Sequence, residues 1–106
     1  MTDAEINEAV AKALGLTGIQ HENAPYFQGR IDAGWATSLD ACFRDLVPEA
    51  RGRGLMVQLY DYESSIGDPM TTMCVFRCEG EMRGSARNDS PSRALCLAWL
   101  KTKEVA

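Results

Sequence analysis

Ser85-Ala-Arg-Asn-Asp-Ser-Pro-Ser-Arg-Ala-Leu-Cys-Leu-Ala-Trp-Leu-Lys-Thr-Lys103 is the stretch whose reading decides the fold. The Ser90 hydroxyl can accept from a free backbone N–H, and Pro91 suits the first helical position, where a missing N–H costs nothing. Every residue from Ala94 to Leu100 is apolar. A helix here buries more than one face and belongs near the middle of the core. Lys101 and Lys103 fall in its last turn, where positive charge suits the negative end of the helix dipole.

Outward from that helix, the other elements follow from pattern. Thr2-Asp-Ala-Glu5 has the form of a capping box, and Ile6, Val10 and Leu14, flanked by Ala9 and Ala13, make one apolar stripe. Gly15 offers a left-handed C-cap on which Leu16 can fold back. Thr37 or Ser38 caps a second helix with Leu39, Cys42, Phe43, Leu46 and Val47 on its apolar face and Asp40, Arg44 and Asp45 toward water. Pro48 is expected to end or bend it, with Arg51-Gly-Arg-Gly54 as the turn out.

Between these helices, residues 17–34 carry turn chemistry at Asn23-Ala-Pro25 and Gln28-Gly29. Tyr26-Phe27 and Arg30-Ile31 there suit a short edge strand or hairpin. From Leu55 to Tyr62 the alternation of a strand sets Leu55, Val57 and Leu59 toward the core and Met56, Gln58, Tyr60 and Tyr62 away from it. Residues 63–69 read as a loop and Met70–Cys78 as a second strand, the two pairing as an antiparallel hairpin with a long tip. A third strand over Glu81–Arg87 is weakened by Gly80 and Gly84. The expectation is a single α+β domain over residues 1–106, a small antiparallel sheet of two to four strands packed in sandwich fashion against about three helices.

Composition narrows the function. The 106 residues carry net −4, and the charge is uneven: residues 1–50 hold net −5 and residues 51–106 net +1. A pI near 4.9 argues against general nucleic-acid binding, which needs a basic surface. Eight of the eleven basic residues are Arg, suited to planar recognition of carboxylate or phosphate. With an acidic N-terminus and no long apolar run, neither a signal peptide nor a membrane span is expected, which places the protein in a cytoplasm with its four cysteines reduced.

The chain resembles the phage ABA sandwich domain family, small proteins of bacteriophages and prophages. Trp35-Ala-Thr-Ser-Leu-Asp-Ala-Cys-Phe43 is similar to that family's aromatic–Ser–Thr–Asp opening of the second helix. Ser90-Pro-Ser-Arg-Ala-Leu-Cys-Leu-Ala-Trp-Leu100 is similar to its closing helix, with Ala94, Leu95, Cys96 and Leu100 on the characteristic positions. Ala36 stands where the family often has Ser, and Trp99 where it usually has Ala. The resemblance implies a phage-encoded protein in the host cytoplasm, helices covering a small sheet, and no catalytic residues.

Candidate sites are few. Cys74 and Cys78 would stand ~13 Å apart along one strand face, too far for a single zinc at ~2.3 Å from each sulfur, so the cysteines read as core thiols and no metal or other cofactor is expected. His21 has no nucleophile elbow and reads as a loop histidine. Arg83, Arg87, Ser90 and Arg93 surround a helix N-terminus and suggest an anion site, set against a solvated turn with an Asp89-assisted cap. Tyr60, Tyr62 and Tyr26 suggest an interface if exposed, since aromatics and Arg dominate binding hot spots.

Two functions follow as expectations. The first is a non-enzymatic phage accessory protein that binds a host protein and inhibits a defence or nucleic-acid-handling complex. The second is an oligomer that sequesters a phosphorylated nucleotide signal at the arginines. A homodimer is compatible with either, because a small sheet leaves a face or an edge open.

Overall fold

A computed structural model describes residues 2–14, 34–62 and 71–104 of the chain. Among the described residues, three helices, α1 (Asp3–Ala13), α2 (Leu39–Gly52) and α3 (Pro91–Glu104), accompany three strands, β1 (Met56–Tyr62), β2 (Thr71–Cys78) and β3 (Glu81–Asn88). The strands form an antiparallel sheet in the order β1-β2-β3. The protein is a small α+β fold. No helix among the described residues is long and apolar enough to cross a membrane.

The closing helix is the centre of the packing. α3 lies on β2 and β3, while α1 and α2 pack against α3, and α2 also touches β1. Its residues Ala94, Leu95, Cys96, Ala98 and Trp99 are all buried, which is what an uninterrupted apolar run requires. At its start, Ser90 Oγ accepts from Arg93 N at 3.4 Å and Asn88 Oδ1 accepts from Ser90 N at 3.0 Å. The sheet turns Val57, Leu59, Cys74, Phe76 and Ala86 toward this helix.

Gly84 explains how α3 comes so close. A Cβ on it would sit 2.4 Å from the Ala98 carbonyl oxygen and 2.9 Å from Thr102 Cγ2. The glycine that weakened the third strand in sequence is therefore a packing requirement, because the helix backbone occupies the place of a side chain.

Local signals account for most boundaries. The Thr2–Glu5 capping box is formed in both directions, with Glu5 N donating to Thr2 Oγ1 at 3.2 Å and Thr2 N to Glu5 Oε1 at 3.0 Å. Gly15 lies outside the described residues, and Leu14 stands at the C-cap. Ser38 rather than Thr37 caps α2, accepting from Ala41 N at 3.1 Å.

The structure revises the reading of α2 at three residues. Of the end or bend expected at Pro48, the end does not occur: the helix runs on to Gly52, with the proline on the exposed side and Leu46, Val47 and Ala50 holding both flanks in the core. Asp45 does not face water. Its side chain is 4% exposed and accepts the indole N–H of Trp35 at 2.8 Å. Phe43, placed by its spacing on the apolar stripe, is 43% exposed, while Ala41 and Ala50 are buried.

The exit from α2 is a Schellman motif: Leu55 N donates to Ala50 O at 3.0 Å and Gly54 N to Arg51 O at 2.9 Å. Gly54 at φ +85° supplies the left-handed residue, and buried Leu55 the apolar contact. β2 and β3 are joined by the two-residue turn Glu79-Gly80, whose φ values of 53° and 85° are the positive pair of a type I′ turn.

The segment entering α2 is pinned to all three of the described helices. Ala36 N donates to Asn7 Oδ1 of α1 at 2.9 Å, Ala36 O accepts from Ser92 Oγ of α3 at 2.8 Å, and the Cys42 thiol of α2 donates to Trp35 O at 3.1 Å. Trp35 thereby fills the junction of three helices without leaving its N–H unpaired.

Candidate functional site

Strand register decides what the sheet shows on the side away from α3. Across the strands, Met56 stands opposite Arg77 and Arg77 opposite Met82; Gln58 opposite Val75 and Val75 opposite Ser85; Tyr60 opposite Met73 and Met73 opposite Arg87. These nine outward positions hold three methionines, one valine, one tyrosine, two arginines, one glutamine and one serine, with neither an acid nor a lysine among them. That composition is the one enriched at the centres of protein interfaces, where Met, Tyr and Arg replace Lys, Glu and Asp.

Exposure is concentrated at the rim of this face. Met56 is 73% exposed, Met82 58% and Tyr60 46%, whereas Val75 in the middle is 2% exposed. Arg77 lies between the two methionines and gives its Nε–H to Gln58 Oε1 at 3.1 Å. This bond holds the guanidinium at the face. Between Phe76 and Arg77 the β2–β3 register slips, and Arg83 is the extra residue on β3. The bulge is what sets Met82, rather than Arg83, opposite Arg77.

The arginines singled out by sequence are distributed differently from a single anion site. Arg93 on α3 pairs through Nε with Asp3 on α1. The hydrogen bond and the charge of Arg93 hold the Asp3 carboxyl below its ordinary value, and Asp3 in turn raises Arg93. Arg83 pairs with Glu81 at 3.1 Å. Arg87 belongs to the outward face of β3 opposite Met73, on the other side of the sheet from α3. Besides capping α3, the Ser90 hydroxyl shares a hydrogen bond with Ser92 Oγ at 2.9 Å.

Of the tyrosines, Tyr60 is on the outward face, Tyr62 ends β1 opposite Thr71, and Tyr26 lies outside the described residues, as does His21. Met56 was legible as outward-facing from the alternation of β1. Arg77 and Met82 were not, because pairing them requires the turn at Glu79-Gly80 and the bulge at Arg83, and neither is marked by an Asn-Gly or Asp-Gly pair.

Cys42, Cys74 and Cys96 are interior groups, and Cys78 is partly buried. Cys42 and Cys96 bring their sulfurs to 3.6 Å between α2 and α3, and the hydrogen bond with Cys42, together with burial, pushes the Cys96 thiol up. Burial raises Cys74 to about 12. Among the described residues no group of three or more His, Cys, Asp or Glu side chains is placed to hold a metal ion.

A second polar centre links the ends of α2 and α3. Glu49 Oε1 accepts from Trp99 Nε1 at 2.9 Å and Arg53 Nη2 at 2.7 Å, and its Oε2 accepts from Arg53 Nε at 2.9 Å and Lys103 Nζ at 3.1 Å. Partial burial alone would raise the Glu49 carboxyl, but the hydrogen bonds from Arg53, Lys103 and Trp99 outweigh it and hold the group below its ordinary value. Every bond in this network joins parts of the protein to one another, so its chemistry is that of a clamp.

Comparison of the chain with protein-family models, with curated proteins and with solved structures returns no match.

Proposed function

We propose that this chain is a non-enzymatic phage accessory protein that docks a host protein on the outward face of its sheet. The observation that carries this reading is the composition of the nine outward positions, three Met, a Tyr and two Arg with no acid or lysine, in a protein of net −4. A face free of acids and lysines on an acidic protein suits contact with a partner better than solvation. Methionine suits such a face, since its flexible, polarizable side chain adapts to the partner's shape. The resemblance of the capped second helix and the closing helix to a phage family points to a host protein, with inhibition of a defence or nucleic-acid-handling complex as the outcome.

Capture from a bacterial lysate tests it, comparing the wild-type chain with Tyr60→Ser and Met82→Ser variants of unchanged melting temperature. A specific partner that is retained by the wild type and lost by both variants is the expected result. A partner retained equally by all three proteins overturns the assignment of the face. Failure to retain any partner at physiological salt overturns the docking reading itself.

A further inference from the structure

The row Met56–Arg77–Met82 defines the partner more closely, on the premise that the outward face is the docking surface. Two exposed methionines flank one arginine, one residue from each strand, in a line across the sheet. With neighbouring strands ~4.8 Å apart, the two methionine positions are ~10 Å from each other and the arginine is midway between them. We infer that this row receives an amphipathic helix of an acidic partner, with apolar residues at i and i+7 on the methionines and a carboxylate at i+3 or i+4 on Arg77.

The spacing selects a helix over an extended segment. Residues i and i+7 of a helix are ~10.5 Å apart along its axis and share one face, with i+3 and i+4 between them. An extended peptide offers same-face positions at ~6.7 or ~13 Å, and neither spans the two methionines. A helix on this face also completes the layering, because α1, α2 and α3 occupy the other side of the sheet among the described residues.

Charge selects an acid. Arg77 presents a planar guanidinium that pairs bidentately with a carboxylate, and its Nε bond to Gln58 fixes the plane in advance. The row contains no acid, and the nearby Glu81 is paired with Arg83. A second copy of this chain docked face to face about a two-fold axis would bring arginine-bearing rows together, so the like charges disfavour self-association here.

The test uses the full chain, labelled with nitrogen-15, and three synthetic helical peptides. One carries leucines at i and i+7 with glutamate at i+4, the second replaces the glutamate by lysine, and the third keeps the glutamate but replaces the leucines by glutamine. The first peptide is expected to shift the amide resonances of Met56, Arg77 and Met82 and to bind at least tenfold more tightly than the other two. Arg77→Glu should reverse the preference toward the lysine peptide, and Arg77→Gln should abolish it, each with an unchanged melting temperature.

Equal binding of the glutamate and lysine peptides, or no binding of either, overturns the acidic-helix inference. If the lysine peptide binds equally and Met82→Ser weakens both, the docking face stands and only the partner's chemistry falls. A concentration-dependent dimer abolished by Met56→Ser also overturns it, in favour of a second copy as occupant.

Discussion

The indole nitrogen of Trp99 lies 2.9 Å from Glu49 Oε1, and one turn earlier on the same helix Asp45 Oδ2 takes the indole N–H of Trp35 at 2.8 Å. Two carboxylates four residues apart on α2 thus anchor the two tryptophans, both of which are fully buried. A buried indole needs a partner for its N–H, and a carboxylate supplies a charge-assisted one. The pair explains how an apolar helix such as α3 accepts a large aromatic at position 99 without an orphaned donor.

Acid should release the Glu49 clamp. Because the folded state holds this carboxyl below its ordinary value of 4.5, its contribution to stability is complete above that pH and is lost as pH falls through the lower, folded value. The melting temperature of Glu49→Gln should lie below that of the wild type at pH 7, and the gap should close as the pH is taken toward 3. A gap that stays constant over that range would show that the carboxylate charge contributes nothing. Trp99→Phe, which removes one of the donors to Glu49, should cost about 1–2 kcal/mol at neutral pH.

At Gly84 the absence of a side chain is itself the packing feature. Replacement by Ala drives a methyl against the Ala98 carbonyl, which belongs to helix backbone and cannot rotate away. Destabilisation of about 1–3 kcal/mol is expected, read as a lower urea midpoint with an unchanged slope. An Ala variant as stable as the wild type would mean that α3 does not approach β3 this closely.

Glu79 offers the opposite change. It adopts φ 53°, a left-handed conformation that side chains other than Asn, Asp and Gly resist, in the first position of a type I′ turn. Glu79→Asn should therefore raise stability by about 0.5–1 kcal/mol, and Glu79→Gly by a comparable or smaller amount, measured by thermal melting. Loss of stability in both would show that this turn is not type I′ in solution.

Thiol chemistry separates the four cysteines. Cys42, Cys74 and Cys96 are fully buried, which denies a reagent access, and burial pushes the Cys74 thiol up to about 12, so that it also holds no thiolate at pH 8. Cys78 is only partly buried. Brief treatment of the native protein with iodoacetamide should modify Cys78 alone, and denaturant should open the remaining sites, as followed by intact mass. Rapid native modification of Cys96 would mean that the α2–α3 contact opens readily.

Which parts of this structure were legible in sequence depends on how local their causes are. The capping box at Thr2–Glu5, the Ser90 cap and the apolar run of α3 are set by neighbouring residues, and each is found where its pattern stands. The role of Asp45 was not legible because it depends on what lies across from α2, an indole from residue 35, and the continuation of the helix past Pro48 likewise depends on a core wide enough to hold both flanks. Gly84 was read as a weakness because its cause, the backbone of Ala98, is fourteen positions further along the chain. The Met56–Arg77–Met82 row was illegible as a row, since a bulge at Arg83 decides which residue of β3 completes it.

Nucleotides provide the discriminating control for the docking reading. Arg93 is engaged by Asp3 and Arg83 by Glu81, while Arg87 stands on the outward face of the sheet, so an incoming phosphate would have to break ion pairs to gather the three. A panel of cyclic and linear nucleotides is therefore expected to leave the melting temperature unchanged. A ligand present at a hundred times its dissociation constant adds about 2.7 kcal/mol to the folded state, which for a domain of this size is a shift of roughly ten degrees or more. Such a shift with one nucleotide, removed by Arg83→Ala and Arg87→Ala in proteins that still fold, would replace host-protein docking with sequestration of a phosphorylated signal. The same result would require the Arg93–Asp3 pair to open on binding, so an Asp3→Asn variant should then bind more tightly.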